Sequence, residues 1–202
     1  MNIGTWNILD LLEEYGEDYV NLLISEFSTE IERNGERYNL NPEIENFLKK
    51  NAIQFSREKK SITYLVFDKD EAILLGYFAL THKPIEIPPV GMSKTKIRMI
   101  EKYARLHTIL NAYDVSAFLI AQFGKNYAVA EEKRISGNEL MHIVNCELAE
   151  IQHRIGGGVK YLDCEADAKL INFYQKEQGY TLYGERLSET DGKRYLQYLK
   201  FF

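Results

Sequence analysis

Lys133-Arg134-Ile135-Ser136-Gly137-Asn138-Glu139-Leu140 lies where a buried strand hands over to an amphipathic helix. Upstream, Val115 to Phe123 (VSAFLIAQF) is almost continuously apolar, the pattern of a central strand. Downstream, Leu140, Val144, Leu148, Ile151 and Ile155 recur at helical spacing, and Gly156-Gly157-Gly158 stops the helix. Ser136 and Glu139 have capping-box spacing, which sets the helix start at about Gly137. The first-turn N–H groups there point outward at the positive end of the helix dipole, a geometry that favours an anion such as a pyrophosphate. Gly137 allows close backbone approach, and Arg134 brings a charge and a forked donor. Taken alone, the turn also fits a Ser-capped helix with an incidental arginine.

Working outward, Val159 to Cys164 is the next strand, so 115–123, 137–154 and 159–164 form a right-handed strand–helix–strand crossover. Before it, Ile62 to Phe67 and Ala72 to Leu80 make a hairpin around Asp68-Lys69-Asp70-Glu71, closed off by Pro84, Pro88 and Pro89. Ala166 to Gln178 reads as a helix stopped by Gly179. Tyr180 to Tyr183 and Tyr195 to Phe201 read as closing strands around a polar turn at Asp191-Gly192. The opening third reads as helical: Ile8, Leu11, Leu12 and Tyr15; then Tyr19, Leu22, Leu23 and Phe27; then a helix capped by Asn41-Pro42. The expected fold is one α/β domain over 1–202. Residues 1–56 form a helical N-terminal part, and 57–202 a mixed sheet with helices on both faces.

At 202 residues, 45% hydrophobic and 27% charged, the chain suits a soluble globular domain with a sizeable core. A net charge of −5 gives no global attraction to nucleic acid or membrane. The one basic segment, SKTKIRMIEKYARLHTIL at 93–110, reads as a helix from Ser93. It is either a solvated face or a patch for an acidic substrate or RNA phosphate. Cys146 and Cys164 are too few for a disulfide framework and read as reduced, buried packing residues, with no spacing for a metal. No signal peptide or spanning segment is visible, so the expected location is the cytoplasm.

A second motif follows at a fixed distance: Leu170-Ile171-Asn172-Phe173-Tyr174-Gln175-Lys176-Glu177-Gln178-Gly179-Tyr180. Arg134-x-x-Gly137, its helix, the next strand and this Phe-Tyr-x-x-x-x-Gly-Tyr segment, in this order, resemble the GNAT acetyltransferase superfamily, whose own segment reads Phe/Leu-Tyr-x-x-x-Gly-Phe/Tyr. The resemblance covers roughly residues 62–201. It implies a splayed central sheet and acetyl-CoA as cosubstrate, with no metal. It also implies that amides of Ile135, Ser136, Gly137, Asn138 and Glu139 hold the pyrophosphate beside Arg134. Phe123, Gly124 and Lys125 then match the strand edge that binds pantetheine and the acetyl carbonyl, Asp167 a pantetheine contact, and Tyr174 the general acid. A tyrosine is protonated at neutral pH and can donate to a leaving thiolate.

The chain departs from that pattern in two places. Glu139 stands where the family has a small residue, and its carboxylate would repel a pyrophosphate unless it folds back on the Ser136 cap. The loop from Lys125 to Lys133 is longer than usual. No general base is assigned among Glu86, His82, Asp114 and Gln122. The resemblance implies an N-acetyltransferase acting by direct transfer to a small-molecule or peptide amine. The alternatives are a toxin-like enzyme acting on aminoacyl-tRNA and a non-catalytic CoA-binding or protein-interaction module. The aromatic C-terminal strand (Tyr195, Tyr198, Phe201, Phe202) is a candidate homodimer contact.

Overall fold

In the computed structural model, which describes residues 2–188 and 192–202, the chain begins with a strand that the sequence reading missed: β1 (Ile3–Asn7). It runs directly into α1 (Ile8–Tyr15), because the Asn7 side chain caps that helix by accepting from the Leu9 N–H at 2.9 Å. After α2 (Glu17–Ser25) comes a second missed feature, the hairpin β2 (Glu30–Arg33) and β3 (Glu36–Asn39). Its readable signal is Asn34-Gly35, both at positive φ as a two-residue hairpin turn requires. The helix capped by Asn41 is α3 (Pro42–Lys50), and Asn51 separates it from α4 (Ala52–Arg57).

The expected hairpin is present as β4 (Ile62–Asp68) and β5 (Ile73–Ile87). Pro84 does not end β5, which continues to Ile87. The basic helix is shorter than expected: α5 covers only Lys94–Ile100. The Tyr103 and Ala104 N–H groups both turn back onto the Ile100 carbonyl, and β6 (Leu106–His107) then pairs with the start of β7 (Ala112–Lys125). Next come α6 (Gly137–Ile155), β8 (Val159–Glu165), α7 (Ala168–Ile171), β9 (Thr181–Leu187) and β10 (Arg194–Phe201). Asp191 of the expected polar turn lies outside the described residues.

The sheet order is β1-β4-β5-β7-β8-β10-β9, with β6 on β7, and β2–β3 stands apart. The β7–β8 ladder is parallel, as the crossover requires, while those of β1–β4, β4–β5, β8–β10 and β9–β10 are antiparallel. The sheet is therefore mixed. β10 has a neighbour on each edge, so the C-terminal strand offers no free edge for a dimer. No helix among the described residues is long and apolar enough to cross a membrane.

The chain divides into two compact units, residues 1–81 with 121–145, and residues 82–120 with 146–202. In the first, Ile8, Val20, Ile24, Phe27 and Leu48 of the early helices pack on Leu65, Phe67 and Tyr77. The neighbouring Gly76 faces Leu140 of α6, so this part of the sheet is covered on both faces. In the second unit, Ile87, Ile100, Val115, Ala117, Tyr161 and Leu199 form one core. On the opposite face Tyr198 stacks with Tyr174 at 6.1 Å between centroids. Cys164 is buried as expected, but Cys146 is exposed on α6, and neither forms a disulfide.

Lys160 on β8 is only 6% exposed, and its ammonium lies over the Phe202 ring at 4.8 Å. It stands directly opposite Lys200 on β10. Burial, reinforced by the Lys200 charge, pushes its pKa down to about 8 from 10.5. An unfolded chain holds that proton up to the higher value, so this group makes stability rise with pH between about 8 and 10.5. Below that window the burial penalty is present in full. Lys160→Met is expected to raise stability at pH 7 by about 1–3 kcal/mol, and the gain should shrink towards zero by pH 10. Thermal melts of both proteins across that range check it.

Candidate functional site

Two groups of residues carry the candidate chemistry, one in each unit. In the first unit the capping box forms as its spacing predicts. The Glu139 N–H donates to Ser136 Oγ at 3.1 Å, and the Ser136 N–H donates to Glu139 Oε2 at 2.8 Å. The Ser136 hydroxyl and N–H hold the Glu139 carboxyl below the usual carboxylate range. The carboxylate has therefore folded back, and in doing so it occupies one of the amides that would otherwise face an incoming anion. Gly137 and Asn138 follow as the first residues of α6, whose N–H groups no intrahelical bond can serve. Ile135 is 1% exposed and anchors the turn in the core.

Arg134 has a different role from a free fork. Its Nε donates to the Val129 carbonyl at 2.6 Å and its Nη2 to the Tyr127 carbonyl at 2.8 Å. The guanidinium also lies over the Tyr127 ring at 5.4 Å, and the Lys125 ammonium over the same ring at 5.3 Å. Burial and the Arg134 charge lower the Lys125 pKa. Arg134 thus ties together the long 126–134 loop and supplies positive charge next to the turn.

The anchor of that loop is Asn126, which the sequence reading passed over. It is 3% exposed. Its Oδ1 accepts from the Ser28 N–H at 2.9 Å and the Ala128 N–H at 3.1 Å; its Nδ2 donates to the Leu74 carbonyl at 2.8 Å and the Glu26 carbonyl at 3.2 Å. Just before it, Gly124 is required by crowding. A Cβ there would stand 2.5 Å from Ile44 Cγ2 and 3.3 Å from both Phe27 and Tyr77. Phe123, Gly124 and Lys125 are the last residues of β7, beyond the point where Phe118 pairs with Lys160 and Leu119 with Tyr161 of β8.

In the second unit Asp167 caps α7, with Oδ1 accepting from the Lys169 N–H at 2.8 Å and the Leu170 N–H at 3.2 Å. The expected helix then changes character: Asn172–Glu177 is a π-turn in which the Gln178 N–H reaches back to the Phe173 carbonyl at 2.9 Å. Tyr174 sits inside it, 7% exposed, against Phe173, Tyr180 and Tyr198. Burial, with Cys164 and Tyr180 nearby, raises its pKa well above that of a free tyrosine, so it is a protonated donor throughout the neutral range. Tyr180 buries a hydroxyl that has no hydrogen-bond partner among the described residues. The Cys164 thiol is pushed up to about 12 by burial and by Asp163, Asp167 and Glu165, which makes it a poor nucleophile.

Of the residues considered as a base, Glu86, Asp114 and His82 are exposed. The His82 ring lies 3.4 Å from Ser116 Oγ and stacks obliquely on Phe118 at 4.8 Å. The Gln122 Oε1 accepts from the Tyr77 hydroxyl at 3.5 Å.

No family model and no curated protein matches this sequence. Solved structures do. AtaT complexed with acetyl-methionyl-tRNAfMet superposes with a TM-score of 0.60 at 14% identity, covering 100% of this chain and 94% of that one. A tyrosine-to-phenylalanine mutant of KacT gives 0.60 at 15% identity, covering 96% and 94%. The NatC complex bound to Gag peptide and CoA gives 0.53 at 10% identity, covering 100% and 99%. Helix-capped turn, two-residue parallel ladder and Tyr174 segment follow one another in this chain on the fold of the GNAT N-acetyltransferases.

Proposed function

We propose that the chain is an acetyl-CoA-dependent N-acetyltransferase that works by direct attack in a ternary complex. The observation that carries this reading is the turn 134–139, a capped helix start positioned by a fully bonded loop at the end of a strand. Within the turn Ile135 to Glu139, the amides outside the reciprocal Ser136–Glu139 bonds would hold the pyrophosphate, with Arg134 adding charge. The main chain of Phe123, Gly124 and Lys125 would bond pantetheine and polarise the thioester carbonyl. The neutral acceptor amine attacks the carbonyl carbon, the C–S bond breaks, and the thiolate takes the Tyr174 hydroxyl proton. The proton lost by the amine passes to solvent and restores Tyr174. Asp167 acts by positioning: as cap of α7 it holds the start of the segment that carries Tyr174.

Tyr174→Phe is expected to lower kcat by about 100-fold or more while leaving acetyl-CoA affinity unchanged. Steady-state kinetics with calorimetry separates the two; unchanged turnover would remove Tyr174 from the reaction. Glu139→Gln removes a negative charge that competes for the turn, so acetyl-CoA should bind about three- to tenfold more tightly. Weaker binding in that variant would mean that the capped turn, as it stands, is what the cosubstrate needs. A wild-type protein that does not bind acetyl-CoA at all would leave the non-catalytic interaction module as the better reading.

A second reading concerns the acceptor. Similar structures include AtaT bound to acetyl-methionyl-tRNAfMet, and this chain exposes Lys94 and Arg98 on α5, with Lys96 half-buried between them. An aminoacyl-tRNA acceptor would meet such a patch. Neutralising Lys94, Lys96 and Arg98 together should then weaken RNA binding and flatten its salt dependence. Binding that is absent or insensitive to salt leaves a small-molecule or peptide amine as the acceptor.

A further inference from the structure

Three rings pack on Tyr174: those of Phe173, Tyr180 and Tyr198. Phe173 carries no polar side-chain atom, and the Tyr198 hydroxyl accepts from Gln175 Nε2 at 3.1 Å. Tyr180 differs from both. It is 4% exposed, and its hydroxyl is buried with no hydrogen-bond partner among the described residues. Burying a hydroxyl in this state destabilises the fold, and a phenylalanine would fill the same space without that cost. A buried donor left without a partner calls for a physical reason, and a role in the chemistry is one.

The backbone fixes where Tyr180 sits. After the π-turn comes Gly179 at φ 68°, a conformation that glycine adopts without strain. There the chain doubles back, and the Tyr180 N–H donates to the Tyr174 carbonyl at 2.8 Å. The two rings meet at 6.0 Å between centroids, with 80° between their planes. The Lys200 ammonium donates to the Gln178 carbonyl at 2.7 Å and lies 5.7 Å from the centre of the Tyr180 ring. Tyr180 is thus in contact with both Tyr174 and a cation.

On the acetyltransferase reading proposed above, on which this inference rests, Tyr174 gives up its proton as the C–S bond breaks and is left as a phenolate. Burial penalises that anion, and Tyr174 is only 7% exposed. The polar groups that bear on its hydroxyl are the Cys164 thiol and the Tyr180 hydroxyl. A thiol is a weak donor. A hydroxyl that donates to an anion makes a bond roughly twice as strong as one between neutral groups. We propose that the Tyr180 hydroxyl donates to the Tyr174 oxygen once Tyr174 has passed its proton to the departing thiolate. Tyr180 keeps its own proton throughout, and Tyr174 regains one from the acceptor ammonium through solvent. The bond is absent from the resting state and present when the charge forms, so it lowers the barrier without tightening the ground state. The nearby Lys200 ammonium favours the same negative charge. Tyr180 touches neither cosubstrate nor acceptor; it is a positioning residue that acts through Tyr174.

Tyr180→Phe in the full chain tests this. The readout is CoA release from acetyl-CoA, followed as free thiol, with a panel of primary amines and with water as acceptors. Turnover should fall by about 10- to 100-fold with the KM for acetyl-CoA unchanged. The melting temperature should rise by about 2–4 °C, because an unpaired buried hydroxyl has been removed. A residue needed only for packing would lose activity and stability together. In the Tyr174→Phe background the same substitution should cost no further activity, since no phenolate forms there. An unchanged turnover, a lowered melting temperature, or an equal loss in both backgrounds overturns the proposal. A wild type that binds acetyl-CoA but releases no CoA, or whose turnover Tyr174→Phe leaves unchanged, overturns the parent reading and this inference with it.

Discussion

The carboxamide of Asn126 makes four hydrogen bonds, two accepted and two donated, which is all that an amide side chain can usefully make. Its oxygen ends the free run of chain after α2 through Ser28, and its nitrogen fastens the same point to β5 through Leu74. Its own N–H adds a bond to the Leu75 carbonyl, and the Tyr127 N–H one to Ser28. A buried polar group is costly when half satisfied and rigidifying when saturated. Here saturation fixes where β7 stops, and so where the loop to the α6 turn begins. Arg134 then closes that loop on its own carbonyls, and the capping box starts the helix. The chain from Gly124 to Leu140 is thus a series of fixed joints, each depending on the one before it.

Much of this was legible from residue pattern. The apolar run 115–123, the stripe on α6 and the triple glycine after it demanded a strand, a helix and a parallel return, and the β7–β8 ladder is that return. Ser136 and Glu139 bond reciprocally as their spacing implied. What was missed has a physical reason in each case. β1 is five residues long and passes straight into a helix, so no turn marks its boundary. Asn34-Gly35 is a strong hairpin signal set between strands too short and too exposed to show alternation. The basic stretch after Ser93 has helical charges throughout, yet Leu106 and His107 gain more by pairing with β7 than by extending α5. Asn126 gave no signal, because a single asparagine in a loop reads as turn chemistry, and only the assembled structure shows that it is buried.

Arg134 and Glu139, the two residues the motif resemblance singled out at this turn, are both bonded within the chain. Arg134 spends two donors on the loop carbonyls, and Glu139 covers a main-chain amide beside the helix start. Both support the geometry of the turn before any ligand is present. Holding an anion there then draws on the remaining amides, the helix dipole and the arginine's charge, and less on a direct fork-to-phosphate bond.

The π-turn at Asn172–Glu177 bears on how Tyr174 came to point where it does. A π-turn is what an α-helix becomes when it absorbs one extra residue without unwinding. Loss of a single residue from this stretch would return it to ordinary helical winding and swing everything beyond by about 100°. The direction of the tyrosine therefore depends on the length of its segment as much as on its composition. Relatives that differ here by one insertion or deletion would carry the same letters on another side of the helix.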